Sequence, residues 1–178
     1  MSPQKNNTLT NKLTSLLLTI YSITLFWIIV LKLNISFSYK GTRNVNLIPF
    51  REPLLYNGRV DYNEIILNIL IFVPLGLYVG ILFKNLSTAG KVFSFFMVSF
   101  CFEILQFILR IGAFDITDII NNTLGGIIGL LLLKGLMKVF NSPVKAQKLI
   151  NIIATIGTIL IVSTLLYLKT NRLLMFRR

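Results

Sequence analysis

Five long apolar segments dominate this chain of 178 residues and restrict what it can fold into. Each segment approaches the roughly 20 apolar residues that an α-helix needs to cross the hydrocarbon core of a bilayer. The bilayer offers no hydrogen-bond partner to an exposed backbone, so such segments cross it as helices. The sequence therefore predicts an all-α integral membrane protein, a bundle of about five transmembrane helices in a single membrane domain, 1–178. The predicted spans are 13–31, 65–83, 92–109, 116–133 and 149–168, and 32–62 forms a polar loop.

The composition agrees with a membrane protein and excludes an ordinary soluble domain. Hydrophobic residues make up 54% of the chain and charged residues only 13%, far from soluble globular usage. A basic start before an apolar run also describes a signal peptide. The run 13–31 is long enough to span, however, and no small-residue cleavage site follows Leu31, so we predict an uncleaved anchor.

The charged and metal-binding residues limit the partners that the chain can have. The net charge is +12, which in a membrane protein indicates contact with anionic lipid rather than nucleic acid. The lone Cys101 excludes an internal disulfide, and the chain has no histidine. Any metal would need oxygen ligands, as Mg²⁺ and Ca²⁺ prefer. We predict no cofactor, and a divalent cation on Glu103, Asp115 and Asp118 stays open.

The distribution of basic residues bears on the orientation. Five spans place the termini on opposite membrane surfaces, which we name side A for the N-terminal surface and side B for the other. Side A carries eight basic residues and side B ten, so the positive-inside rule alone does not decide. If the side-B arginines of the loop 32–62 bind a ligand and are discounted, side A is cytoplasmic, and this is our prediction.

Polar residues recur at the same helical spacing in three places. Residues at i, i+3 and i+7 lie within an arc of roughly 60° on one helix face. The three polar stripes are Asp61, Glu64 and Asn68; Glu103, Gln106 and Arg110; and Asp115, Asp118 and Asn122. All three lie at the side-B ends of their helices, so the sequence predicts a polar cleft open to side B.

The predicted cleft combines amides and carboxylates with arginines of the loop. Arginine presents a planar fork that suits phosphate or carboxylate groups. The carboxylates can hold a cation, pair with the arginines or bind hydroxyl groups of a ligand. The predicted ligand-binding residues are Arg43, Asn46, Arg51, Asn68, Glu103, Gln106, Arg110, Asp115, Asp118 and Asn122.

Most of these residues also have a purely structural interpretation. Asp115 and Asp118 stand where a helix N-cap is expected. Arg110 can extend from a helix end towards the lipid headgroups. The amides of the polar stripes can hydrogen-bond neighbouring helices. Glu103 is hardest to explain in this way, because a carboxyl at that depth costs about 2–3 kcal/mol.

Small residues and one proline predict how the helices pack. Gly125 and Gly129 form a small-xxx-small pair, which indicates close helix packing. Pro74, with Gly76 beside it, interrupts the second span. Proline removes the amide that would bond the carbonyl of Leu70, so a kink is expected there.

Four motifs in the chain resemble those of a known family. They are NLIPF at 46–50, NILIFVPLG at 68–76, FEILQF at 102–107 and IGAFDITD at 111–118. With Asn122 and the Gly125-Gly126 pair, their order and spacing are similar to the VanZ family, and the likeness runs from about Tyr21 into the last span. Each motif alone is weak, but four in order are specific.

The resemblance implies a biological role and leaves the mechanism open. It implies low-level resistance to teicoplanin in the cell membrane of Gram-positive bacteria. Teicoplanin is a lipoglycopeptide that binds the D-Ala-D-Ala end of cell-wall precursors outside the membrane. The resemblance places the polar stripes among motif positions but assigns them no task.

Three functions remain open at this point. The first is a binding or shielding protein whose side-B cleft faces outward and holds a lipid-linked headgroup or the antibiotic. The second is a membrane-embedded enzyme with Glu103 and Asp118 as candidate catalytic residues. The third is a small transporter, which the interrupted second span favours. The predicted partners are the lipid bilayer and a lipid-linked cell-wall precursor, anionic lipid or teicoplanin.

Overall fold

The computed structural model describes residues 3–29, 44–50, 55–56, 59–60 and 62–170. In this part of the chain, five helices are long and apolar enough to cross a membrane. The helices are α1 (Pro3–Ile29), α2 (Asn63–Leu82), α3 (Thr88–Leu109), α4 (Ile116–Phe140) and α5 (Pro143–Thr170). The strands are β1 (Val45–Asn46), β2 (Leu55–Tyr56), β3 (Arg59–Val60) and β4 (Phe114–Asp115). The all-α fold class is confirmed.

The helices overlap the five predicted spans and extend beyond most of their ends. Helix α3 begins at Thr88, after Ser87 accepts a hydrogen bond from the amide of Gly90 at 3.0 Å. Helix α4 continues to Phe140 and stops at Asn141, whose φ of 47° is left-handed. Capping chemistry sets these ends, whereas hydropathy marks only the part that lies in the hydrocarbon. Residues 30–31 of the first predicted span lie outside the described residues.

Glycines bring the backbones of α2 and α4 into direct contact. A methyl group added at Gly125 would overlap the carbonyl oxygen of Ile69, and one added at Gly129 would overlap that of Val73. Gly76 on α2 lies as close to the backbone of α4. Without a hydrophobic effect between helices in lipid, such close contact is a main source of helix association. The structure places Gly76, Gly125 and Gly129 in this one interface.

Pro74 lies inside α2, which continues from Asn63 to Leu82. In the turn before it, the hydroxyl of Tyr21 on α1 donates a hydrogen bond to the carbonyl oxygen of Ile71 at 2.7 Å. A side chain from a neighbouring helix therefore binds the backbone of the turn that the proline follows. The carbonyl that loses its helical donor to Pro74 is that of Leu70, so this hydrogen bond joins α1 to α2 beside the proline without replacing the lost one.

The apolar core joins the first four helices. Phe95 on α3 is fully buried, and its ring lies where a methyl group at Gly126 of α4 would be. The buried cluster around it consists of Leu25, Phe72, Leu75, Val79, Phe95 and Leu130. The bundle is thus built on α4, with α2 against one face and α3 against another.

Helix α5 is attached to α1 by hydrogen bonds near side A. Gln147 donates to the hydroxyl of Thr14 at 2.8 Å and to Asn11 at 2.9 Å. Thr14 donates in turn to Asn151 at 3.0 Å. Thr14, Gln147 and Asn151 are all buried. Four spans precede α5, so it starts at side A as α1 does, and the two helices run parallel.

Candidate functional site

Two distant segments of the chain meet at side B. Strands β1 and β4 pair in parallel, with Asn46 opposite Asp115. The amide of Phe114 donates to the carbonyl of Asn44 at 3.0 Å. Since α4 begins directly after β4, the segment 44–50 is held against the start of a transmembrane helix. We name this segment the side-B loop.

Asp115 joins the side-B loop to α4. One carboxylate oxygen accepts the amide of Thr117 at 2.7 Å, which makes Asp115 the N-cap of α4. The other oxygen accepts Nδ2 of Asn46 at 3.1 Å. Asp115 is therefore a helix cap, as its structural interpretation expects, and it also binds the loop.

Further hydrogen bonds hold the rest of the side-B loop. The amide of Ile48 donates to Oδ1 of Asn46 at 3.3 Å, and the amide of Phe50 donates to the hydroxyl of Thr117 at 3.1 Å. Phe50 has a left-handed φ of 57°. Leu47, Ile48 and Phe50 are nevertheless 62%, 50% and 56% exposed. The loop thus presents apolar side chains outward from a backbone that polar groups position.

Glu103 lies beneath this junction and is almost completely buried, with 1% of its surface exposed. Its Oε2 accepts the backbone amide of Asp115 at 2.9 Å. Glu103 therefore links the last turns of α3 to the residue that caps α4 and holds Asn46.

Two further hydrogen bonds join polar residues across helices near the start of α4. Asn68 on α2 donates to Asp118 at 2.6 Å. Asn122 donates to the hydroxyl of Ser99 on α3 at 2.8 Å, and both side chains are fully buried. The interhelical hydrogen bonding expected of these amides is present. Asp118, in contrast to Asp115, is not the capping residue of α4.

Other predicted site residues point elsewhere or lie outside the described residues. Gln106 is buried and donates to the carbonyl of Ile29 at 2.8 Å, so it ties α3 to the end of α1. Arg110 is exposed and ends α3 with a left-handed φ of 55°. Glu64 on α2 is exposed as well. Arg43, Arg51 and Asp61 lie outside the described residues.

The carboxylates do not gather into a metal centre in the part of the chain that the structure describes. No group of three or more His, Cys, Asp or Glu residues there could hold a metal ion. Asp115 and Glu103 each bind a backbone amide, and Asp118 binds the amide of Asn68. The described arrangement positions backbone and loop.

Sequence reasoning missed three polar residues of this region. Ser99 stands one turn before Glu103 on the same face of α3, a spacing that could have identified it. Thr117, which lies between the two aspartates of a motif, gave no such signal. Asn121 is 3% exposed, and its Nδ2 has no hydrogen-bond partner among the described residues. The Oδ1 atom of Asn122 is likewise buried without a partner there.

Comparisons with known proteins agree with the resemblance in the motifs. The family model described as VanZ/LLP1 matches residues 18–141. The chain is 38% identical to Protein VanZ of Enterococcus faecium over 155 residues, which cover 85% of this chain and 89% of that protein. No solved structure matches the chain significantly. The chain therefore belongs to the VanZ/LLP1 family, and this membership supports a role in antibiotic resistance.

Proposed function

We propose that this protein lowers susceptibility to teicoplanin by binding an amphipathic ligand at side B, with side B outside the cell. The ligand is the headgroup region of a lipid-linked cell-wall precursor or the lipoglycopeptide itself. Either ligand has a polar part at the membrane surface and an apolar part in the lipid. Holding either of them at the surface would reduce the encounter between the antibiotic and its target.

The observation that carries the proposal is the side-B loop. Leu47, Ile48 and Phe50 are exposed at the side-B end of the bundle. Exposed apolar residues on a freely moving loop would carry little specificity. Here Asp115 and Thr117 hold the loop in place. The conformational entropy of the loop is therefore lost when the protein folds and not when a ligand binds. A positioned apolar surface above a buried polar network suits a ligand with both kinds of group.

Binding is better supported than catalysis by the contacts of the carboxylates. Glu103 accepts a backbone amide and Asp118 accepts the amide of Asn68, which are positioning contacts. General acid–base catalysis needs the carboxyl within hydrogen-bond reach of a reacting group. The enzyme alternative makes a different prediction for the cell, because only a catalyst would change the structure of the precursor.

The proposal predicts a loss of resistance when the hydrogen bonds of Glu103 or Asp118 are removed. Glu103→Ala and Asp118→Ala are each expected to return the minimum inhibitory concentration of teicoplanin to that of cells lacking the protein. The matched control is Glu64→Ala, which removes an exposed carboxylate at the same end of the bundle and is expected to keep full resistance. Membrane levels of each variant are measured by immunoblot.

Two results would count against the proposal. Full resistance in both variants at normal membrane levels would show that Glu103 and Asp118 are not needed for resistance. A difference in the masses of cell-wall precursors between cells with and without the wild-type protein would favour the enzyme alternative over binding. The proposal expects the precursor masses to be identical.

Asn121 provides a second test because its buried Nδ2 has no partner among the described residues. A buried donor without an acceptor costs about 1–3 kcal/mol, so replacing it with an apolar side chain is not expected to destabilise the fold. We expect Asn121→Leu to unfold at the same or a higher temperature than the wild type, yet to lose teicoplanin resistance. A resistant variant of unchanged stability would exclude Asn121 from ligand binding.

A further inference from the structure

A groove at the other end of the bundle, near side A, is separate from the site at side B. It lies between α1 and α5 and has a volume of about 450 Å³. Its lining residues are Leu9, Thr10, Leu13, Lys148, Asn151, Ile152, Thr155 and Ile156. Because it opens on the outer face of the bundle within two membrane-spanning helices, lipid has direct access to it.

The walls of the groove are aliphatic and parallel. Helix α1 provides Leu9 and Leu13 and helix α5 provides Ile152 and Ile156, and in each pair the two residues are one turn apart. All four are partly exposed, from 40% to 57%. From Lys148 to Ile156 the groove runs about 12 Å along α5, at 1.5 Å per residue. Its shape therefore suits an extended hydrocarbon chain.

The floor of the groove is polar but internally satisfied. Asn151 is 2% exposed, donates to the carbonyl of Thr10 at 3.2 Å and accepts the hydroxyl of Thr14 at 3.0 Å. These hydrogen bonds hold the two helices together. They also satisfy polar groups at the floor, so the floor does not need a polar ligand. Recognition in the groove is therefore apolar along the walls.

The mouth of the groove is positively charged. Lys148 lines the groove at its side-A end and is exposed. Side A carries eight lysines, whereas all six acidic residues of the chain belong to side B. The sequence thus places no acidic side chain near this surface that would compete with an anionic ligand for the lysine ammonium. The charge of the mouth favours an anionic group at the membrane surface, worth about fivefold in affinity for one such lysine.

We propose that this groove binds an anionic phospholipid of the side-A leaflet, with one acyl chain between α1 and α5 and the phosphate at Lys148. A second copy of the chain fits less well, because the groove is bordered by leucine and isoleucine. Membrane helices that pack closely use small residues at the contact instead. The lipid would stabilise the attachment of α5 to the bundle.

Native mass spectrometry of the full-length protein in neutral detergent tests the proposal. Phosphatidylglycerol and phosphatidylcholine with the same acyl chains are added in equal amounts. The wild type is expected to retain phosphatidylglycerol about fivefold better. Lys148→Gln is expected to bring that ratio near one, whereas Lys134→Gln, an exposed lysine outside the groove, keeps it.

A second pair of variants tests the acyl-chain contact. Ile156→Trp fills the groove and is expected to lose both lipids, whereas Ile159→Trp places the same bulk on an exposed position of α5 outside it and retains them. Equal retention of the two lipids by the wild type, or an unchanged preference in Lys148→Gln, would overturn the proposal. A lipid-free dimer would assign the groove to a second copy, and lipid retained by Ile156→Trp would place the lipid elsewhere.

Discussion

Replacing Gly125 with alanine is expected to prevent the protein from reaching a stable fold in the membrane. The added methyl group would overlap the carbonyl oxygen of Ile69, which belongs to the backbone of α2 and has no rotamer through which to move away. Overpacking a core costs about 1–3 kcal/mol even where side chains can adjust. Here the closest helix pair of the bundle must separate, so we expect a larger loss and little accumulated protein.

The chain provides matched controls for this substitution. Nothing lies within 4 Å of a methyl group added at Gly135 or at Gly157. Alanine at either position is expected to stabilise the protein by about 0.5–1 kcal/mol, because glycine lowers the stability of a helix interior. The four proteins are compared by membrane level and by thermal unfolding in detergent. A Gly125→Ala protein as stable as the wild type would contradict the close contact of α2 and α4.

The lengths of the apolar runs and the helical spacing of the polar residues predicted much of this fold and part of the site. The apolar runs identify the helices because a bilayer allows few other structures. The spacing of Asp118 and Asn122 with Gly125 and Gly129 predicts which face of α4 meets its neighbours. The hydrogen bond between Asn68 and Asp118 joins two of the predicted polar stripes. The membership of each polar stripe depends on positions within one helix, which a sequence displays directly.

Helical spacing did not predict which distant segments of the chain contact each other. The pairing of Asn46 with Asp115 joins residues 69 positions apart, and neither two-residue strand has a pattern of its own. Similarly, Gln147 and Asn151 share a face of α5, but nothing in their spacing identifies Thr14 as their partner. Periodicity indicates which face is polar, whereas the neighbour of that face is set by tertiary packing.

The second large effect is expected from Asp115→Asn. Asparagine caps helices as well as aspartate does, so the hydrogen bond to the amide of Thr117 and the start of α4 are kept. The remaining amide nitrogen would then face Nδ2 of Asn46, and two donors would meet. Asn46 cannot simply turn over, because its Oδ1 accepts the amide of Ile48.

This substitution removes a hydrogen bond to a charged group, worth about 1.5–3 kcal/mol, and weakens the attachment of the side-B loop, which keeps its hydrogen bonds to Phe114 and Thr117. Teicoplanin resistance is expected to fall to that of cells lacking the protein. The membrane level is expected to remain near that of the wild type, because the helix packing is untouched. A variant that retains full resistance would show that the hydrogen bond between Asn46 and Asp115 is not needed for function.

The most direct test exchanges the two partners. In the double variant Asn46→Asp with Asp115→Asn, the amide of residue 115 donates to the carboxylate of residue 46, which can still accept the amide of Ile48. The measurement is the minimum inhibitory concentration of teicoplanin at matched membrane levels. If the hydrogen bond that holds the side-B loop supports resistance, the double variant regains most of the resistance that Asp115→Asn alone loses. A double variant that is as abundant as Asp115→Asn and equally sensitive to teicoplanin would contradict a role for this hydrogen bond in resistance.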